Sequence, residues 1–264
     1  METLYTPKYP LHTLSHALDI LYTLKDCPSS DGMTLNALSQ QLCMSKSSVH
    51  RILDTLLAYR FVEKTPGVIP SYRLSWGAYQ VGFSVPKYHT LNTADYSSML
   101  EKLSHQLQAP TTLSILSQYN SVVICSIAPP GEKHSAALIR MGEHLPLYAT
   151  ASGKLFMLDF TADEIQKYFK TITIKKYTSN TILNYIDFLD ELNRIKAQNY
   201  SASHQEYLEQ VSYVAMPVRD YTKKVVAAIS VAITPEEMET QAFTESLTAL
   251  EDCCRQLSSY LGFQ

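Results

Sequence analysis

Apolar residues recur at helical spacing in the first part of the chain. The repeat from residue 11 to residue 24 predicts a first helix, which ends at the breaker-rich stretch "KDCPSSDG". Thr34 precedes "LNALSQQLC" and Ser45 precedes "KSSVHRIL", so each stands where a residue that caps a short helix is expected. Only Cys43 and Met44 separate the second and third helices, and so short a turn predicts a helix-turn-helix.

Two strand-like segments follow the third helix. "RFVEK" at residues 60–64 and "SYRLS" at residues 71–75 flank "TPGVIP", a pattern that predicts a β-hairpin. Three helices followed by a hairpin make a winged helix-turn-helix, whose wing residues such as Lys64 could reach a DNA backbone or minor groove. Residues 74–85 then read as a linker helix that its two glycines could bend.

The rest of the chain mixes helical and strand-like patterns. The alternation of Val211, Tyr213 and Ala215 predicts one face of a strand, and the apolar run 225–233 predicts a central strand covered on both faces. Pro235 is expected to open a final helix that ends near residue 261. The further expected helices are 96–107, 151–158, 162–169 and 185–198, and the further expected strands are 112–116, 122–127 and 136–139. A mixed sheet with helices on its faces gives an α+β fold class.

Composition narrows the possible classes of protein. With 264 residues, 45% of them hydrophobic and 18% charged, the chain is long enough for two globular domains. We expect a cytoplasmic protein without a membrane span, because no signal-like segment opens the chain and the longest apolar run is short. Five cysteines without a CxxC pair suggest neither disulfides nor a zinc ribbon. His12 and His16 are four residues apart but lack a third ligand, so we expect no metal and no cofactor.

The net charge of −3 does not by itself indicate a nucleic-acid binder. Residues 1–85 carry a charge of +1 and the remainder −4, so local placement of charge must carry the signal. If Val49, Ile52 and Leu53 face the core of the third helix, its polar residues lie at the exposed N-terminal end, where a recognition helix meets base edges and phosphates. The predicted DNA-binding residues are Lys46, Ser47, Ser48, His50 and Arg51. The alternative interpretation is a solvated face on a structural helix.

Three longer segments resemble a known family. "LSQQLCMSKSSVHRILDTLLAYRFVEK" followed by "YRLS" resembles the DNA-binding half of the IclR family of bacterial transcriptional regulators. "MGEHLPLYATASGKLFMLDF" at 141–160 and "NYSASHQEYLEQVSYVAMPVRD" at 199–220, then "VVAAISVA", resemble the effector-domain signatures of that family in the same order. The resemblance covers about residues 11–262, and the combination is more specific than a winged helix alone.

The resemblance implies a regulator with three parts. They are a winged helix-turn-helix at 1–75, a linker helix region at 76–95 and a GAF-like α/β effector-binding domain at 96–264. The expected partners are double-stranded operator DNA, a small-molecule effector and further copies of the chain in a homodimer or homotetramer. The residues that match the effector-binding elements of the family are Met141, Gly142, Thr150, Ala151, Ser152, Gly153, Tyr213 and Ser230.

The small residues of "ATASGK" at 149–154 leave two interpretations open. They could let a carboxylate or phosphate of the effector, such as that of an organic acid, approach backbone N–H groups, or they could serve close helix packing. The chain also departs from the family pattern at several positions. Cys43 and Gln210 stand where the family commonly has Gly, Tyr148 where His is frequent, Tyr213 where Cys is frequent, and Ala232 where a small polar residue is common. The effector of a relative therefore cannot be carried over.

Two rival functions remain at this point. A GAF-like cavity with Ser152, Lys154, His204 and Glu206 could hydrolyse a small substrate, although no local motif pairs a nucleophile with a base. Alternatively, the winged helix could bind a protein rather than DNA, in which case Arg51 would not matter for DNA retention. The regulator interpretation is favoured because both halves of the chain support it.

Overall fold

The computed structural model describes residues 8–67, 69–83, 85, 91, 93–130 and 137–263. The chain divides into two compact units, with the boundary between residues 90 and 91. Residues 84, 86–90 and 92 of the predicted linker region lie outside the described residues, as do residues 1–7 of the predicted first domain and residue 136 of a predicted strand. The predicted domain limits at 75 and 95 stay predictions.

The first unit begins with three helices, as predicted. They are α1 (His12–Lys25), α2 (Leu35–Gln41) and α3 (Lys46–Ala58). Thr34 caps α2 by accepting a hydrogen bond from the backbone N–H of Ala37, and Ser45 caps α3 in the same way from Ser48. These caps supply partners for N–H groups that have none inside a helix, so both predicted starts are confirmed.

A small antiparallel sheet completes this unit. The predicted hairpin consists of β2 (Val62–Thr65) and β3 (Ser71–Leu74), and the short β1 (Met33–Thr34) pairs with the other edge of β3. The first helix of the linker region is α4 (Trp76–Phe83). The core joins all these layers except α4, and its buried members are Ile20, Leu24, Leu38, Val49, Ile52, Leu53, Val62 and Tyr72.

The second unit is built on a six-stranded antiparallel sheet of order β6-β5-β4-β9-β8-β7. The central strand β9 (Val225–Ile233) lies between β4 and β8, as its unbroken apolar run predicted. The other strands are β4 (Thr111–Ser117), β5 (Asn120–Ile127), β6 (His144–Pro146), β7 (Ser201–Ser203) and β8 (Ser212–Arg219).

Helices cover both faces of this sheet. Tyr213 and Ala215 of β8 join the core cluster that contains α6 (Ala151–Phe156), α7 (Ala162–Thr171) and α8 (Tyr185–Gln198). Val214 and Met216, which alternate with them, join the cluster formed with α5 (Thr93–Leu107) and α9 (Gln241–Tyr260). The period-2 alternation predicted for this strand is therefore confirmed, and so is the α+β fold.

Three sequence predictions are wrong in this unit. The sheet was expected to be mixed, but all of its described strand pairs are antiparallel. Residues 137–139 form no strand, because residue 137 has a 3₁₀ conformation and residues 138–140 are irregular before the turn at 141–142 that leads to β6. The final helix begins at Gln241 rather than Pro235, since a 3₁₀ turn at Glu237–Glu239 comes first and Thr240 then caps α9 by accepting from the backbone N–H of Ala242. In the part of the chain that the structure describes, every helix is too short or too polar to cross a membrane.

The turn between α2 and α3 holds Cys43 in the left-handed region, with φ at 52°. Around it, the hydroxyl of Ser39 donates to the carbonyl of Met44 at 2.6 Å and fixes the two ends of the turn. A side chain with a Cβ costs about 1–2 kcal/mol in this conformation, whereas glycine adopts it freely. The tight turn of the helix-turn-helix requires a left-handed residue at position 43, and the side chain of Cys43 makes that conformation strained.

We predict that Cys43→Gly raises the free energy of unfolding of the first unit by about 1 kcal/mol, because it removes the Cβ from a left-handed residue. The matched control is Cys43→Ala, which removes the thiol but keeps the Cβ and should show no such gain. Urea unfolding of both variants measures the difference. Equal stability of the Gly and Ala variants would contradict the strain assigned to this turn.

Candidate DNA-binding and effector-binding sites

The N-terminal end of α3 presents a polar face to solvent. Val49, Ile52 and Leu53 are buried against the core of the first unit, which fixes the rotation of the helix about its axis. The five predicted DNA-binding residues are all exposed on the remaining surface: Lys46, Ser47, Ser48, His50 and Arg51. The structure thus brings them together at one helix end, where the free N–H groups and the helix dipole attract anions.

Hydroxyl groups organise the start of this face. The Oγ of Ser45 accepts from the backbone N–H of Ser48 at 3.2 Å and lies 3.0 Å and 2.8 Å from the hydroxyl oxygens of Ser47 and Ser48. Three hydroxyls therefore form one connected cluster at the first turn of α3. Each can exchange its partner for a phosphate oxygen without unwinding the helix.

The basic side chains on this face differ in whether another side chain contacts them. The Nδ1 of His50 lies 3.2 Å from a carboxylate oxygen of Asp54, one turn further along α3, which holds the ring in place. Arg51 and Lys46 form no ion pair with any of the described residues. In the neighbouring hairpin, by contrast, Arg73 is already bound to Glu63 at 2.7 Å. The uncommitted positive charge of α3 is thus at its N-terminal end.

The second unit encloses a cavity at the start of α6. Five of the eight predicted effector-binding residues line it: Thr150, Ala151, Ser152, Tyr213 and Ser230. The sequence analysis missed the four other lining residues, Thr112, Ile139, Leu145 and Tyr207. Thr112 of β4 lies directly opposite Ser230 of β9, so strand pairing would have indicated it, whereas Tyr207 lies on a loop that no periodicity describes.

The three other predicted residues do not line this cavity. Met141 is 69% exposed at a turn. Gly142 has φ at 80°, and its N–H donates to the carbonyl of Val123 at 2.7 Å, which makes it part of the turn before β6. A Cβ on Gly153 would lie 2.5 Å from both the Cα and the carbonyl oxygen of Leu147. The close-packing interpretation therefore accounts for Gly153.

Most polar groups around the cavity already have partners within the protein. Thr150 donates to the carbonyl of Pro146 at 2.8 Å and accepts from the N–H of Gly153 as the cap of α6. The hydroxyl oxygens of Ser152 and Ser121 are 3.0 Å apart. The lining contains no charged side chain, so polarity there comes from hydroxyl and backbone groups.

Two tyrosines reduce the size of this cavity. Tyr213 donates its hydroxyl hydrogen to the carbonyl of Ala137 at 2.8 Å, and burial raises its pKa well above the usual value. Burial, with the nearby Glu143, also raises the pKa of Tyr207 to about 12, so both phenols are neutral donors. The space left for the centre of a water molecule is about 10 Å³, which is room for one water. A metabolite therefore needs side chains here to move.

The residues of the rival hydrolase do not form a catalytic group. The hydroxyl of Ser152 pairs with Ser121, whereas the Nζ of Lys154 contacts Glu206 at 2.5 Å and Glu191 at 3.3 Å. Within the described ranges, no base contacts Ser152. The same ranges contain no group of three His, Cys, Asp or Glu side chains placed to hold a metal ion.

Comparison with known proteins shows the family for both parts of the chain. The family models "IclR helix-turn-helix domain" and "Bacterial transcriptional regulator IclR C-terminal" match residues 13–66 and 89–259. The HTH-type transcriptional regulator KdgR of Escherichia coli is 24% identical over 95% of this chain and 94% of its own.

Solved structures share the fold over nearly the whole length of the chain. A crystal structure of an IclR transcriptional regulator from Alicyclobacillus acidocaldarius has a TM-score of 0.78 at 21% identity and covers 96% of this chain and 99% of its own. An IclR homologue from Microbacterium hydrocarbonoxydans, complexed with 4-hydroxybenzoate, has a TM-score of 0.74 at 15% identity over 94% and 98%.

We predict that Tyr213→Phe lowers the free energy of unfolding of the second unit by about 1–3 kcal/mol, because it leaves the buried carbonyl of Ala137 without its donor. Tyr221→Phe is the matched control, since Tyr221 is 72% exposed and should tolerate the same change. Urea unfolding compares the two variants. A Tyr213→Phe protein as stable as the control would show that this hydrogen bond contributes little.

Proposed function

We propose that α3 binds operator DNA and that the cavity beside α6 binds the effector. The chain belongs to the IclR family of bacterial transcriptional regulators, and the proposal starts from that membership. Family membership makes the chain a DNA-binding transcriptional regulator rather than a member of an enzyme family. The observation that carries the proposal for DNA is the exposed, uncommitted polar end of a helix whose opposite face is buried.

The five polar residues at this end of α3 have different roles in DNA recognition. Arg51 can form two parallel hydrogen bonds to the O6 and N7 atoms of a guanine, and it is the residue we assign to base readout. Lys46 and the hydroxyls of Ser47 and Ser48 contact phosphate oxygens and fix the register on the duplex. His50 is held by Asp54 and lies between these two groups along the helix.

The assembly we propose is a homodimer or a homotetramer with two-fold symmetry. Two copies of α3 then meet successive major grooves about 34 Å apart, or a multiple of that distance, so the operator is roughly palindromic. This proposal draws on the family and on the symmetry that paired recognition helices require.

The effector is a small metabolite that binds in the cavity at the start of α6. Hydroxyl groups from three strands and the cap of α6 point to a molecule with hydrogen-bonding groups, and organic acids are the first class to test. The homologue complexed with 4-hydroxybenzoate supports a ligand role for this fold. Because the cavity has room for only about one water molecule in the present conformation, the effector must bind a more open conformation and shift the population toward it.

We predict that Arg51→Ala weakens binding to the operator by about 1–3 kcal/mol, since it removes a two-point contact to a base. Lys25→Ala is the control, because it removes one exposed positive charge from the C-terminal end of α1 rather than from α3. Fluorescence anisotropy on the DNA upstream of the gene, over a salt series, measures both variants. Wild-type binding should fall steeply with salt as counterions are released. Equal affinities of the two variants would exclude the assigned role of Arg51.

We predict that Ser230→Val abolishes the response to effector but keeps operator binding, because the added methyl groups fill the narrow cavity. Ser212→Val on the neighbouring strand is the control, since Ser212 is equally buried but does not line the cavity. Small organic acids that release wild-type protein from DNA serve as the probes. A Ser230→Val protein that still responds would place the effector elsewhere.

A further inference from the structure

A second pocket lies at the β7 edge of the large sheet, and it has no lining residue in common with the cavity beside α6. Its volume is about 430 Å³, within the range of small-molecule sites. Glu191 and Arg194 of α8 form one wall, and His204 and Glu206 of the segment after β7 form another. Phe243 of α9 contributes an apolar surface to the lining.

Two of the lining residues, Glu191 and Glu206, belong to a buried ion network around Lys154. The Nζ of this fully buried residue donates to Glu206 at 2.5 Å, to Glu191 at 3.3 Å and to the carbonyl of Ala202 at 3.4 Å. An ammonium group has three hydrogens to donate, so Lys154 has none left. The second oxygen of Glu191 accepts from Arg194 at 2.8 Å.

One oxygen of this network lacks a donor in good geometry. The backbone N–H of His204 interacts with the carboxyl group of Glu206, but among the described residues no donor makes a well-aligned hydrogen bond to its Oε2, although Glu206 is only 5% exposed. A buried acceptor without a donor costs about 1–3 kcal/mol, and more when it is charged, so native structures seldom retain one without a reason. Because Lys154 has no hydrogen left to donate, the missing donor must come from outside the network.

The charges around the pocket indicate what kind of donor fits. The three buried groups Lys154, Glu191 and Glu206 sum to one negative charge when all are ionised. Burial raises the pKa of Glu206 against the opposing effect of Lys154, and a cation bound beside it would favour its ionised form. Burial, together with the charge of Lys154, lowers the pKa of His204. Its imidazole is therefore neutral, and one ring nitrogen can accept a hydrogen bond. A positively charged donor therefore gains more here than a neutral one.

The rim offers the complementary charge. The side chain of Arg194 is 69% exposed and uses one of its five hydrogens on Glu191, so four remain for an anion that enters the pocket. Phe243 and Met238 add apolar surface to the same pocket. A cation site and an anion site thus lie in one pocket, joined through Glu191.

We propose that this pocket binds a small primary amine, and that α-amino acids with an apolar side chain are the class that fits best. The ammonium group donates to the Oε2 of Glu206, the carboxylate binds Arg194, and the side chain packs on Phe243 and Met238. This inference does not depend on the proposed effector cavity, because its residues and its ligand chemistry are different.

The test uses the full-length protein and three related probes. L-leucine carries both charges, 3-methylbutylamine lacks the carboxylate and 4-methylpentanoate lacks the ammonium group. Isothermal titration and thermal melting should rank the binding as leucine first, the amine second and the acid absent, and the other protein amino acids extend the melting screen. The absence of a shift with any amino acid overturns the proposal, and so does binding of the acid as strong as that of leucine.

Substitutions locate the binding. Arg194→Ala changes an exposed residue and should lower the affinity for leucine about tenfold, or about 1.4 kcal/mol, because one charge-assisted contact is lost. The affinity for the amine should stay unchanged. Lys196→Ala removes a similar exposed charge from α8 outside the pocket and is the control. Leucine binding that is equal in these two variants overturns the assignment of Arg194.

Two further variants test the pocket itself. Glu206→Gln removes the negative charge and replaces one acceptor oxygen with an NH2 donor, so binding of both leucine and the amine should fall well below that of the wild type. If that variant does not fold, Gln198→Trp replaces a half-buried lining residue with a bulky ring, and it should block both probes without a change in the ion network. Retained binding in a folded variant of either kind overturns the site. Because none of these measurements involves DNA, failure here is distinct from failure of the proposed regulator function.

Discussion

The burial of β9 on both faces is the constraint on which the second unit depends. A nine-residue strand with almost no exposed side chain must lie in the middle of a sheet, and that sheet needs a helical layer on each side. The two core clusters are those two layers. Ser230 is the polar exception in this strand, and it lies next to the cavity. The cavity thus lies at the one position where a hydroxyl group, that of Ser230, interrupts the apolar run of β9.

The network around Lys154 is a second constraint, and it carries an energetic cost. Removing an ammonium group from water costs several kcal/mol, which is regained only where good geometry and further hydrogen bonds accompany the opposite charges. Lys154 follows Gly153, whose missing Cβ lets α6 approach Leu147 closely. That approach places the Lys154 side chain among Glu191, Ala202 and Glu206, and so joins α6, α8 and the β7 edge. Close packing at one residue positions the ion network at the next.

Local sequence signals predicted the first unit well, because caps and turns are local chemistry. Thr34 and Ser45 begin their helices as expected, and the stripe of α3 identified which residues would be exposed. The departures from the family pattern also have a physical outcome: Cys43 and Gln210, which stand where glycine is common, both adopt positive φ. The chain keeps a left-handed backbone at both positions and accepts the strain of a side chain there.

The effector cavity was predicted only in part, because its residues come together from distant segments. The family resemblance indicated Tyr213 and Ser230, and the strand patterns placed them on β8 and β9, but neither gave any indication of Tyr207 on a loop.

The cavity is narrow because of how the side chains around it pack, and local sequence patterns could not predict that packing. It has a consequence for regulation, since a closed cavity binds an effector only as strongly as the cost of opening allows. The effector can change DNA affinity only as far as it prefers one arrangement of the protein over another. The tyrosines that fill the cavity therefore contribute both to the selection of the effector and to the threshold at which it acts.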